Sequence, residues 1–133
     1  MKYVKIAVCV ILLFVVNELS YSQTLQFCEK VSDNGTAVNP KTLFTIDKSK
    51  GGTIKFLVKL PFSVGTDKVT YELYTVDGSG AESFIRSISQ DVGTDWLWFW
   101  KDVKFAKNGS YNVKVYDGQG NHLVTAHLTI QYN

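Results

Sequence analysis

All three tryptophans of the chain fall in one pentapeptide, Trp96-Leu97-Trp98-Phe99-Trp100. Alternate residues of a strand share a face, so this spacing predicts three indoles side by side, about 7 Å apart. Such a row is a flat apolar strip fringed by N–H donors, able to stack on sugar rings or to take up another protein's apolar surface. Trp96, Trp98 and Trp100 are therefore the candidate ligand-binding residues. The opposite parity carries Leu97, Phe99, Val103 and Phe105, apolar except for Lys101, whereas the tryptophan parity runs on into Asp102 and Lys104. That pattern predicts a leucine–phenylalanine core face and outward indoles. Tryptophan is a well-buried residue on average, so indoles in the core, or under a loop, stay open as the other arrangement. Asp91, Asp95 and Lys101 lie close enough in sequence to supply polar contacts.

No other constellation points to catalysis. Ser79 sits in Gly78-Ser79-Gly80, a turn between strands rather than the strand-to-helix elbow of a hydrolase nucleophile. His122 and His127, five apart on one predicted strand, face opposite sides unless a bulge intervenes, and so do not act as an acid–base pair. Carboxylates are scattered, and nothing selects two of them for glycoside hydrolysis. Asp77-x-Ser79-x2-Glu82 is short of the oxygen ligands that calcium needs and reads as a turn. Asn34-Gly35-Thr36 and Asn108-Gly109-Ser110 fit a glycosylation pattern but are explained equally by Asn-Gly turns. No Cys/His cluster has metal spacing. The expectation is a non-enzyme with no metal and no cofactor.

The chain has 133 residues, of which 45% are hydrophobic and 20% charged, a balance that excludes disorder. Its first 22 residues read as a cleaved export leader. Lys2 and Lys5 precede the apolar run Ile6 to Val16, and Ser20-Tyr21-Ser22 supplies small residues before a cut at Gln23. Eleven helical residues cover about 16 Å, roughly half the hydrocarbon core of a bilayer, about 30 Å. No membrane span is therefore expected after leader removal, and the destination is secreted or periplasmic. Residues 23–133 hold twelve Lys/Arg against eleven Asp/Glu, a net charge of +1, which gives no electrostatic case for nucleic acid. Cys9 leaves with the leader, so Cys28 has no partner in its own chain and is expected to be a small buried hydrophobe.

The elements that must carry the tryptophans are strands. Alternation recurs along residues 23–133, interrupted by Gly, Asp, Asn or Pro, with no sustained helical period. Thr53 to Leu60 places Ile54, Phe56, Val58 and Leu60 on one face, with Thr53, Lys55 and Lys59 opposite. Lys68 to Val76 turns Val69, Tyr71 and Leu73 inward, and a parity shift at Tyr74 and Val76 predicts a bulge or an end covered on both sides. Asp77-Gly78-Ser79-Gly80 turns the chain into Ser83 to Gln90, a polar edge strand. Trp96 to Phe105 is a long strand. Asn108-Gly109 turns into Ser110 to Tyr116, and Asp117-Gly118-Gln119-Gly120 into His122 to Tyr132. Leu25 and Phe27 begin a first strand, and Leu43 to Ile46 forms another. Seven or eight short strands, each with one apolar face, predict an all-β antiparallel sandwich filling 23–133, with a closed barrel as the alternative.

The stretch Phe105-x3-Gly109-x-Tyr111-x-Val113-x-Val115-x-Asp117-x2-Gly120 resembles the closing hairpin of bacterial immunoglobulin-like and PKD-like modules. The resemblance covers about a quarter of the mature chain. It implies an immunoglobulin-like sandwich in which Tyr111 is the corner tyrosine, its hydroxyl bonded to backbone upstream. Val113 stands where true immunoglobulin domains carry their second disulfide cysteine. Such modules serve as spacers, adhesion units and ligand-binding domains alike, so no activity follows. The sequence therefore predicts an exported, non-catalytic binding module whose partner is another envelope or extracellular protein. The alternative is a small carbohydrate-binding module that holds a polysaccharide on Trp96, Trp98 and Trp100.

Overall fold

The structure, a computed structural model, describes residues 23–133; the expected leader lies outside the described residues. Ten strands follow one another: β1 (Thr24–Cys28), β2 (Lys30–Val31), β3 (Ala37–Val38), β4 (Leu43–Ile46), β5 (Gly52–Lys59), β6 (Lys68–Val76), β7 (Glu82–Asp91), β8 (Trp98–Phe105), β9 (Gly109–Asp117) and β10 (His122–Tyr132). Eight of them make two sheets, β1-β5-β8 and β4-β10-β9-β6-β7, while β2 and β3 pair as a small separate hairpin. The pairing is antiparallel except between β4 and β10, which run parallel, so the larger sheet is mixed.

The alternating apolar faces meet between the two sheets. Ile54, Phe56 and Val58 of β5, Val69, Tyr71 and Leu73 of β6, and Tyr111, Val113 and Val115 of β9 are all buried in one cluster. Phe56 is its hub, with ring centroids 5.0 Å from Phe27, 5.9 Å from Tyr71 and 6.0 Å from Phe105. The hydroxyl of the wholly buried Tyr71 donates to Gln90 Oε1 at 2.6 Å, and among the described residues no buried polar side chain is left unpaired. Burial pushes the ionisation of that hydroxyl far up. Tyr111 donates to the Lys107 carbonyl at 2.7 Å, the upstream backbone bond expected of a corner tyrosine.

Turn chemistry closes the hairpins as its residues require. Asp77 Oδ1 accepts from the Ser79 and Ala81 amides, and Gly80 takes φ +89°; Asp117 and Gly120 repeat the arrangement one hairpin later. The bulge expected in β6 near Tyr74 lies instead in its partner: β6 runs in unbroken register against β9, and Ile85 of β7 is the extra residue opposite Leu73 and Tyr74.

Two expectations need correction. A second bulge, between His122 and Val124, shifts parity in β10. It buries Leu123 and pairs His122 with Tyr116 while His127 pairs with Asn112, so both histidines share the outer face. They remain apart in chemistry, His122 bonding Thr125 and His127 bonding Asn112. The outer face of β5 is also not simply wet. Leu57 lies there between Lys55 and Lys59 and is wholly buried, as is Cys28 on the same face of β1. The β2–β3 hairpin packs across β1 and β5 and covers them. Burial pushes the Cys28 thiol up, opposed by backbone hydrogen bonds at Lys30 and Val38.

Candidate functional site

Only part of the tryptophan segment is strand. Strand β8 begins at Trp98, and the residues before it turn away. The Trp96 amide bonds the Gly93 carbonyl at 3.0 Å, closing a tight turn over Thr94 and Asp95. The Trp96 and Leu97 carbonyls accept from the Val64 and Leu60 amides, at 2.9 and 2.8 Å. These bonds tie the segment to the loop after β5, so the strand parity expected from Trp96 onward does not start until Trp98. Leu97, expected in the core, is instead 50% exposed, whereas Phe99, Val103 and Phe105 are buried as expected.

The three indoles therefore occupy three settings. Trp96 is 45% exposed and lies against Gly93, where an added Cβ would come within 2.4 Å of its Nε1. Trp98 is half-buried beneath the tip of the β2–β3 hairpin: Gly35, at φ +81°, approaches so closely that a Cβ there would lie 2.5 Å from the indole. Glycine is required twice over, for the dihedral and for the space. Trp100 is 38% exposed, and the Lys55 ammonium stands 4.3 Å from its ring centroid, held there by Asp102 at 2.7 Å. A single continuous strip of three indoles is not formed. Outward-facing Trp98 and Trp100 share a face of β8, and Trp96 forms the far wall of a cleft of about 570 Å³.

Gln90 and Asp95 line the same cleft. Gln90 donates from Nε2 to the Trp100 carbonyl at 2.8 Å while accepting from Tyr71. It thus ties the edge strand of one sheet to the edge strand of the other. Its role was not legible in the sequence, because a glutamine at the end of a polar edge strand carries no signature of what it spans. Of the neighbouring charges, Asp95 lines the cleft; Lys101 and Asp91 are absent from its walls. Among the described residues β8 has no strand neighbour on its outer side, but side chains of β7 reach it there: Gln90 and Arg86 donate to the Trp100 and Lys104 carbonyls.

The outer face of the larger sheet carries a polar network instead. Glu82 accepts from Asn112 and Lys114, which hold its carboxyl below the usual range, and the Lys114 ammonium stands 4.5 Å from the Tyr74 ring centroid. The Tyr74 hydroxyl donates to Glu72 at 2.6 Å, and chiefly this bond raises its ionisation to about 12. A raised value means that folding favours the protonated hydroxyl. Its contribution is full below the unfolded tyrosine value of about 10 and is lost as pH climbs through about 12. Glu72→Gln is expected to bring the Tyr74 midpoint down toward about 10, read as the difference in tyrosinate absorbance between the two proteins.

Among the described residues, no group of three His, Cys, Asp or Glu is placed to hold a metal ion. No family model and no curated protein sequence matches this chain. Solved structures do resemble it. An immunoglobulin-like protein from Pseudomonas aeruginosa superposes with a TM-score of 0.51 at 11% identity, over 81% of this chain and 92% of that one. A likeness of this kind shows the fold: the chain is an immunoglobulin-like β-sandwich. A variant of the superoxide reductase (neelaredoxin) from Ignicoccus hospitalis aligns over 87% of this chain and 85% of that one at 12% identity. Its TM-score of 0.45 is too low to establish a shared fold.

Proposed function

We propose that this chain is an exported, non-catalytic binding module that takes another protein of the envelope or extracellular space on the Trp96–Trp100 edge. One observation carries the reading: Trp96, Leu97 and Trp100 are 45%, 50% and 38% exposed, grouped beside an edge strand with no neighbour among the described residues. The apolar surface of these side chains leaves water only when a partner covers it, and tryptophans are among the residues most often found at the energetic centre of protein interfaces.

The polysaccharide reading rests on a different observation, two exposed indoles facing a cleft that also holds Asp95. It is the weaker of the two. Trp98 is capped by Gly35, one side of Trp100 is met by Lys55, and both functional groups of Gln90 are already engaged.

The test places a photoreactive side chain at Leu97 in the protein in its native envelope. A discrete adduct with a second protein is expected, and it should vanish in the Trp96→Ala/Trp100→Ala double variant. Because both rings are substantially exposed, that variant should lose no more than about 2 kcal/mol of stability. An adduct that persists in the double variant, or none at all, overturns the protein-binding reading. Saturable quenching of tryptophan fluorescence by soluble polysaccharide, abolished in the same variant, would favour the sugar. Trp98→Ala is the poorer probe, since removing a half-buried ring disturbs the hairpin above it.

A further inference from the structure

A second cleft, of about 590 Å³, opens at the far end of β8. Its mouth carries Lys50, Arg86, Lys104 and Lys107, and among the described residues no carboxylate lines it. Residues 23–133 are otherwise almost balanced in charge, and the ion pairs among the described residues are Lys41–Glu29, Lys55–Asp102 and Lys114–Glu82. None of the four cations at this mouth is paired with an acid among them. Beneath them lie Phe105 and Tyr111, buried, with ring centroids 5.1 Å apart in an edge-to-face contact. Arg86 is fixed between charge and floor: its guanidinium carbon stands 5.9 Å from the Phe105 ring centroid, and its Nη2 donates to the Lys104 carbonyl. That bond uses one of five guanidinium N–H groups, leaving donors for a ligand.

From this geometry we propose that the cleft binds a small anionic amphiphile, a carboxylate or phosphate monoester carrying an aliphatic chain or aromatic ring. The acid group meets Arg86 and the lysines, and the apolar body lies along the exposed Ile85 side chain. Charge complementarity selects the sign, because four unpaired cations repel one another until an anion sits among them. Ile85, 45% exposed on the wall of the same cleft, selects the body, since a bare inorganic anion leaves that side chain wet. The volume is that of an ordinary small-molecule site.

The probe is dodecyl phosphate, titrated calorimetrically into the whole domain below its micelle-forming concentration, with dodecanol and inorganic phosphate as separate arms. Saturable binding of dodecyl phosphate alone is expected, weakening as salt is added. Lys104→Gln/Lys107→Gln removes two exposed charges and should weaken it about tenfold, with the thermal transition unchanged. Trp100→Ala should leave the affinity as it was. Equal binding of dodecanol, equal binding of inorganic phosphate, or no saturation at all overturns the proposal. So does an affinity that survives the double lysine variant or falls with Trp100→Ala, which would place the ligand in the other cleft.

Discussion

Phe56→Ala is expected to cost about 3–5 kcal/mol of unfolding free energy. The ring is wholly buried at the centre of the sandwich, where it meets Phe27 and Phe105 from its own sheet and Tyr71 from the facing one. Its removal forfeits the transfer energy of the side chain and leaves a cavity that two hydrogen-bonded sheets cannot close. The edge-to-face contacts add to that loss. Domains of this size are stable by about 5–15 kcal/mol, so the variant is brought close to its unfolding threshold. Urea denaturation should show a midpoint displaced to lower concentration with an unchanged slope. A midpoint within experimental error of the parent's would mean that the core is not centred on this ring.

Leu57→Ala carries the second large effect, about 2–5 kcal/mol, from the face that alternation assigns to solvent. Leu57 pairs across to Trp100 and Gln26, points away from the inter-sheet core, and is nonetheless fully buried. Its neighbours on that face of β5, Lys55 and Lys59, are only partly buried. The burial comes from the β2–β3 hairpin, whose Gly35 tip rests on Trp98. Truncation should therefore loosen the hairpin as well as lower stability. Tryptophan emission in the folded state should move to the red as Trp98 gains water. A loss below about 0.5 kcal/mol, the usual result at an exposed site, would show that the hairpin does not cover this face.

These two residues mark what alternation can and cannot report. Phe56 was legible because its parity agreed with Ile54, Val58 and Leu60, and a strand has only two faces to offer. Leu57 was not, because a hairpin of two two-residue strands leaves no period in the sequence, yet it turns a wet face dry. The tryptophans failed in a related way. Their spacing describes a strip only if the strand runs through all three, and the Gly93-Thr94-Asp95 turn breaks it before Trp98. The turn residues were visible in the sequence; the bonds from Leu60 and Val64 that hold the segment there join residues more than thirty positions apart.

Sequence by itself determined the class of fold, the inward faces of β5, β6 and β9, the hairpin turns and the corner role of Tyr111. The first three follow from interactions between near neighbours in the chain or from the two-residue repeat of a strand; the corner role of Tyr111 follows from the resemblance to immunoglobulin-like modules. Tertiary structure alone decided how far each indole is exposed, why Gln90 matters, and that four cations surround one cleft with no acid among them. Those properties depend on which distant segments are brought together. A lone chain position fixes its own direction, but the company on that side is set by the folding of everything else.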